Sequence, residues 1–237
     1  MTRHSGTTYE GIAGKYAASV DSRPWNAHYE RPAVISLLPK LENAKVLDAG
    51  CGSGWYAEYL LNHGASVTAF DLNREFVALT QARVGDRARV LHADLSRSLD
   101  FAGTGEFDLV ICPLVLHYLE DWLPALREFH RVLRSDGVLV FSTHHPAFYD
   151  FTLSKLGTYF ATELVEDEWD WLGKVHFYRR PLTTICSDLR SAGFLIDVLL
   201  EPLPTEEFRK ANPEGFEKLT KVPGFLIFRA QKSQPHS

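Results

Sequence analysis

Val46-Leu47-Asp48-Ala49-Gly50-Cys51-Gly52-Ser53-Gly54 is a short apolar run that ends in an acid and breaks into three alternating glycines. Lys45 to Asp48 reads as a β-strand, and beyond Gly54 the residues Trp55, Tyr59 and Leu60 recur at helical spacing. Glycines at such a junction let the backbone turn tightly and let a ligand approach main-chain atoms that a Cβ would shield. Strand, loop and helix together point to an α/β fold with a ligand at the carboxyl end of its sheet. Gly64 then fits the position just past a helix end, where a positive φ costs little.

Outward from this loop, Asp71 closes the next strand, Ser66 to Phe70, about 17 residues beyond Gly54. In dinucleotide-binding folds an acid roughly 20 residues past the glycines meets ribose hydroxyls. Asp94 ends a third strand, around Arg89 to His92, in the same way, and His92-Ala93-Asp94-Leu95 lies where the following turn would approach an adenine ring. Taken singly, each strand-end acid is equally a turn or helix cap. Asp48, Asp71 and Asp94 at the ends of three successive strands would line one crevice.

The alternation continues down the chain. A helix is expected around Arg74 to Val84, and Phe107 to Cys112 is a nearly continuous apolar run of the kind found in strands buried on both faces. Trp122, Leu126, Phe129 and Leu133 mark a helix capped by Asp121, with Pro124 tolerated in its first turn. Gly137 to Thr143 is a fifth strand. Leu182 to Ala192 is a helix stopped by Gly193, and Phe194 to Leu200 and Gly224 to Ala230 are two last strands. Such a rhythm predicts a parallel sheet covered by helices. Residues 1–40 hold no strand candidate and read as an aromatic-rich helical cap, leaving 41–237 as the main domain. Residues 146–180 far exceed the roughly 2–6 residues usual for α/β connections, and read as a lid or substrate-binding insert.

Composition bounds the partners. The 237 residues are 45% hydrophobic and 23% charged with a net charge of −5, which is the profile of a soluble globular protein and lacks the basic footprint of a duplex-binding one. No run approaches the roughly 18 apolar residues of a membrane span, and the polar start has no apolar signal region. Cys51, Cys112 and Cys186 are odd in number and far apart, which favours reduced thiols in the cytoplasm over zinc or disulfides.

The motif set resembles that of the class I S-adenosylmethionine (SAM) dependent methyltransferases. Asp48-Ala49-Gly50-Cys51-Gly52-Ser53-Gly54 matches the family's D-x-G-x-G-x-G loop in full, and Asp71, Ala93-Asp94 and Phe107-Asp108-Leu109-Val110 fall at its later motif positions. Arg131 to Gly137 is similar to the segment before strand five, with Asp136 where a second glycine is usual. The resemblance covers roughly Lys45 to Thr143 and is nearest to the small-molecule branch that contains quinone-ring methyltransferases. It implies a Rossmann-like, mostly parallel seven-stranded sheet with an antiparallel last strand and helices on both faces. It further implies that Asp48, Gly50, Cys51, Gly52 and Gly54 pack against the methionine part of SAM and that Asp71 holds the ribose. Asp94 would accept from the adenine amino group, Leu72 and Leu95 would sandwich the ring, and Cys112 and Pro113 would lie beside the sulfonium. Tyr16 of the cap would close over the cofactor, and S-adenosylhomocysteine would be the product. Cys112-Pro113-Leu114-Val115 departs from the [DN]-P-P-[YF] of DNA and amide methyltransferases, which argues against nucleobase acceptors.

Methyl transfer from a sulfonium is an in-line displacement on an activated electrophile, so the protein mainly has to hold the nucleophile close, aligned and dry. The acceptor atom is left open among O, N and C: for a hydroxyl a general base helps, and histidine suits neutral pH, whereas an activated carbon or a free amine can dispense with one. His144 and His145 follow strand five and His117 follows strand four, which makes these three the catalytic candidates; each is also a plausible packing or capping residue. No third ligand at a recognisable spacing accompanies the pair, so no metal is expected. Tyr29, Tyr149, Trp169 and Tyr178 are candidates for the wall around a planar or apolar small-molecule acceptor, or for a homodimer contact. Glu163, Glu166, Asp167, Glu168 and Asp170 read as a solvated face or as a selector for a cationic acceptor. Two other functions fit less of the sequence. A dinucleotide oxidoreductase would need its third glycine at Trp55. A non-catalytic SAM-binding module would bind without turnover.

Overall fold

The computed structural model describes residues 11–148 and 157–233. Its main sheet has seven strands: β1 (Lys45–Ala49), β2 (Ser66–Asp71), β3 (Arg89–His92), β4 (Phe107–Pro113), β5 (Leu133–His144), β8 (Phe194–Leu200) and β9 (Phe225–Lys232). Their order is β3-β2-β1-β4-β5-β9-β8. The first five run parallel, and β9 is antiparallel to both β5 and β8. The strand order reverses between β1 and β4, so a crevice opens above their carboxyl ends, where open α/β sheets take ligands.

Consecutive residues of β1 divide between the two faces, as the period of two in a strand requires. Leu47 and Ala49 join a core with Val110, Cys112, Phe141 and Phe228, covered by α5 (Leu123–Val132) and α6 (Leu182–Ser191). Val46 joins the opposite core with Val67, Ile111 and Ile227, covered by α2 (Arg31–Ser36) and α3 (Trp55–Asn62). Trp122 is the largest fully buried side chain, set edge-on against Phe141 at 5.9 Å between centroids. Asp121 accepts from the Leu123 amide at 2.9 Å, but from one residue before the N-cap, which is Trp122 and has no side-chain cap, so Asp121 braces the start of α5 without being its cap.

One expected boundary shifts, and two regions gain detail. β5 starts at Leu133 rather than Gly137, because Leu133 pairs with Phe107 before a register shift returns the strand to β4 at Val138. The long insert, expected as a lid or substrate-binding segment, has secondary structure of its own. It holds an antiparallel hairpin of β6 (Glu163–Trp169) and β7 (Gly173–Arg179), outside the main sheet. Its acidic run therefore alternates about Val165, which packs with Leu172, Val175 and Phe177 in a small core of its own, while Glu163 pairs with the buried Arg179 at 2.7 Å. At the N-terminal end, α1 (Ala13–Val20) leads to a π-helical turn, Asn26–Glu30, that runs straight into α2.

The glycine loop is set by sterics. Gly54 has φ of 83°, and a Cβ on it would stand 3.0 Å from the Thr80 Cα of α4 (Arg74–Val84). Backbone on backbone has nowhere to yield. Gly54→Ala should therefore destabilise the protein by about 2–4 kcal/mol, the sum of left-handed strain and overpacking. Urea unfolding measures this, and a loss below about 1 kcal/mol would mean that the loop relaxes freely.

Candidate functional site

A cavity of about 640 Å³ opens above the carboxyl ends of β1, β2 and β4, roofed by the N-terminal helices and the hairpin. Its floor is the glycine loop. Gly50 and Cys51 donate their amides to the Phe70 carbonyl of β2, at 2.8 and 3.0 Å. Gly52 donates to Asp71 Oδ2 at 2.9 Å, and its carbonyl accepts from Thr80 Oγ1 at 2.8 Å. Every one of these bonds needs the tight backbone that the alternating glycines permit.

Asp71 also accepts the Asn73 amide at 2.8 Å through Oδ1. Burial pushes its carboxyl above the usual range, with these amides working in the other direction. Asp48 is the more strained group. It is 1% exposed, and among the described residues neither of its oxygens has a partner at normal hydrogen-bond geometry, the Ala57 amide being the nearest donor to bear on it. Burial and the neighbouring Asp71 charge push its pKa up to about 7, against only the Ala57 amide of α3. A buried carboxylate so short of donors is costly, and a ligand bearing N–H groups or positive charge at this end of the cavity would relieve it. Asp94 lies farther along the same wall, accepting the Ser96 amide at 2.9 Å, with Leu72 and Leu95 beside it.

The far wall is aromatic. His144, at the end of β5, stacks on His117 at 4.2 Å and meets the Phe177 edge at 4.5 Å and the Trp169 edge at 6.2 Å. Burial pushes the His144 imidazole down to about 3, and both burial and the neighbouring ring push His117 well below its ordinary value. Both rings are therefore neutral at physiological pH. Among the described residues His117 Nδ1 has no hydrogen-bond partner, although it is buried.

Of the residues singled out from sequence, Asp48, Gly50, Cys51, Gly52, Asp71, Leu72, Asp94, Leu95, Pro113, Tyr16, His117, His144 and Trp169 border this one cavity. Others stand elsewhere. The His145 ring accepts the Ala147 amide on Nδ1 at 3.1 Å and meets Glu201 through Nε2 at 2.8 Å, turned away by the alternation that brings His144 in. Tyr29 is a core residue whose hydroxyl accepts the Gly224 amide at 2.8 Å. Tyr178 lies one residue from the inward-facing Phe177 and so falls on the other face of β7. Cys112 packs its thiol into the core, and Gly54 presses on Thr80 behind the loop. Tyr149 lies outside the described residues.

Two groups in the cavity wall were not singled out from sequence. Glu30, on the π-helical turn, is 1% exposed and accepts from Ser142 Oγ at 2.5 Å and from the Tyr56 hydroxyl at 2.8 Å. Ser142 Oγ in turn accepts the amide of Leu114, a non-glycine residue at φ of 54° just after β4. Glu30 thus ties the helical cap to the strained turn at the end of β4. Arg31 is buried, with its guanidinium 4.2 Å from the Trp55 ring centre beside the glycine loop and its Nη1 donating to the Asp21 carbonyl at 2.8 Å. The π-helical register, which carries no sequence signature of its own, turns both residues inward; such turns are frequent at functional sites.

Comparison with known proteins agrees with this geometry. Residues 47–141 match a family described as a methyltransferase domain. The chain is 29% identical to a ubiquinone biosynthesis O-methyltransferase of Xanthomonas oryzae pv. oryzae, over 68% of this chain and 72% of that protein. It is 37% identical to a malonyl-[acyl-carrier protein] O-methyltransferase of Enterobacter lignolyticus over a shorter stretch, 47% of this chain and 43% of the relative. A crystal structure of an S-adenosylmethionine-dependent methyltransferase from Mesorhizobium loti superposes with a TM-score of 0.75 at 29% identity, covering 90% of this chain and all of that one. The glycine loop, the strand order and these matches agree: residues 47–141 match a methyltransferase domain, and the chain is similar over most of its length to S-adenosylmethionine-dependent methyltransferases.

Proposed function

We propose that the cavity binds SAM along the glycine-loop wall and a planar or apolar small molecule along the aromatic wall, with methyl transfer to an oxygen or nitrogen of that acceptor. The observation that carries this reading is the division of one cavity into a side of strand-end acids and a side of neutral aromatic and imidazole rings, meeting at Pro113. The two relatives named as O-methyltransferases favour oxygen.

The residues fit the cofactor. Asp71 keeps acceptor capacity for the ribose hydroxyls beyond its two amide bonds, and Asp94 does so for the adenine amino group, with Leu72 and Leu95 against the ring. Asp48, short of donors, faces the ammonium end, and Arg31 is placed for the carboxylate. Tyr16 and Trp171, whose rings lie 5.7 Å apart, close the cavity from above. When bound, the cofactor supplies an electrophilic methyl on a sulfonium. The protein's own part is to align the acceptor and exclude water.

The histidines act by orientation in this reading. A ring whose conjugate acid lies near 3 is a weak base toward a phenol, so the base role expected of His144 gives way to hydrogen bonding, with His117 stacked behind it. His145, in the core, supports the turn after β5. The acceptor is then a nucleophile competent at neutral pH without a strong base, such as a carboxylate or a neutral amine. A small net negative charge and the narrow aromatic wall fit a small molecule better than nucleic acid. Among the described residues no helix is long and apolar enough to cross a membrane.

Three outcomes test this. Asp71→Ala should weaken SAM binding by about 1.5–3 kcal/mol in a calorimetric titration, and an unchanged dissociation constant would remove Asp71 from the site. For Asp48 the folded pKa of about 7 lies above the unfolded one, so between about pH 4 and 7 the folded chain holds a proton that the unfolded chain has released. Stability then falls as pH rises through that window. The ligand-free Asp48→Asn variant should gain on wild type between pH 5 and pH 8 by up to about 2.7 kcal/mol, about two units of the window at roughly 1.4 kcal/mol per pKa unit. Denaturant titrations at the two pH values measure it, and a pH-independent difference would place the charge elsewhere. With an acceptor in hand from a labelled-methyl screen, kcat/KM should show no ionisation near pH 6.5. A limb there that disappears in His144→Gln would restore a histidine base.

A further inference from the structure

Among the described residues, the arginines that stand partly or fully buried against acids are paired with them. Arg83 bonds Asp21 and Glu58, Arg131 bonds Glu128, Arg180 bonds Asp188 and Arg229 bonds Asp197. Arg23 differs. Its guanidinium carbon lies 3.9 Å from the centre of the Trp171 ring, inside the cavity wall, and among the described residues no carboxylate or carbonyl oxygen pairs with it. Stacking on an indole offsets only part of what a half-buried cation loses in hydration. Burial accordingly pulls the Arg23 pKa down.

The position of this cation relates it to the acceptor. Trp171 stacks on Trp169 at 6.0 Å with the planes 16° apart, and Trp169 reaches His144 at 6.2 Å. A continuous aromatic wall therefore runs from Arg23 over the two indoles and turns, where Trp169 meets His144 with the planes 71° apart, to the imidazole pair beside Pro113. Carboxylates of the same hairpin also line the cavity, but none is ion-paired with the cation. Glu168 and Asp170 are exposed at the rim, and Asp167 is occupied by the Glu168 amide at 2.9 Å and the Trp169 indole N–H at 3.0 Å. Arg31, by contrast, sits against the glycine loop, where it serves the cofactor's carboxylate.

We propose that Arg23 is a specificity determinant that binds an anionic substituent of the acceptor, a carboxylate or a phosphate monoester, at the end of the molecule remote from the atom methylated. The acceptor is thus a flat, apolar body with one anionic end. This inference rests on the methyltransferase reading of the cavity.

The test uses the full chain saturated with S-adenosylhomocysteine, whose own binding is measured first by calorimetry. Naphthoate, naphthyl phosphate, naphthol and naphthylmethylamine are then titrated, with tryptophan fluorescence as the readout. At least one anion should bind about tenfold or more tightly than naphthol and the amine, and the stronger of the two anions tells carboxylate from phosphate. Arg23→Gln should abolish the preference and Arg23→Lys should keep part of it, both with an unaltered S-adenosylhomocysteine dissociation constant as the sign of an intact fold. Equal binding of all four probes, or an anion preference that survives in Arg23→Gln, would overturn the assignment. So would a loss of S-adenosylhomocysteine affinity in Arg23→Gln, which would give the guanidinium to the cofactor. No binding of S-adenosylhomocysteine by the wild-type chain is a separate result that overturns the methyltransferase reading itself.

Discussion

The clamp on the glycine loop is the constraint from which the site follows. Gly52 is held through its amide by Asp71 and through its carbonyl by Thr80, while Gly54 rests against the Thr80 backbone. Three elements, β1, β2 and α4, are thereby fixed to one short turn, and the acids at the strand ends take their spacing from it. The same turn lets α3 start with a left-handed glycine instead of a side-chain cap. Any side chain at Gly54 would move the floor of the cavity as well as the helix.

Burial then sets the chemistry of the groups around that floor. Asp48 and Asp71 are driven toward their protonated forms, and His117 and His144 toward neutrality, by the same removal of water. Both effects make charge costly on the deep walls, a cost that a cationic cofactor relieves at the acids and that an uncharged ring does not incur at the imidazoles. The cap and the hairpin produce this dryness. Tyr16 and Trp171 meet above the cavity, and Glu30 joins the cap to the turn after β4 through Ser142. Closure and positioning are thus done by the same residues.

Similarity to known proteins is strongest where this physical constraint is tightest. The family match spans 47–141, the stretch that contains the glycine loop, Asp71, Asp94 and β4. The cap and hairpin, which furnish most of the aromatic wall, lie outside it. Acceptor selection is accordingly expected from residues such as Trp169, Trp171 and Arg23, which can change without disturbing the cofactor floor.

By itself the sequence determined the sheet, the loop and the row of acids, because these depend on local signals: period-two apolar runs, glycines where φ must be positive, and an acid at each strand end. β3 and α4 fall where the pattern puts them, and Asp48, Asp71 and Asp94 share one wall as their positions imply. Tertiary structure alone decided which of two adjacent histidines enters the cavity, since a one-residue step along a strand reverses the face. It also turned Tyr29 into a core residue by supplying the Gly224 amide from far along the chain, and brought Glu30 and Arg31 inward through a π-helical turn. The acidic insert became a hairpin because Val165, Val175 and Phe177 could bury one another, a pairing visible only once both strands are in register. Local geometry is written in short-range spacing, whereas burial, and with it every shifted pKa and every choice of facing side chain, depends on what distant segments bring to the same place.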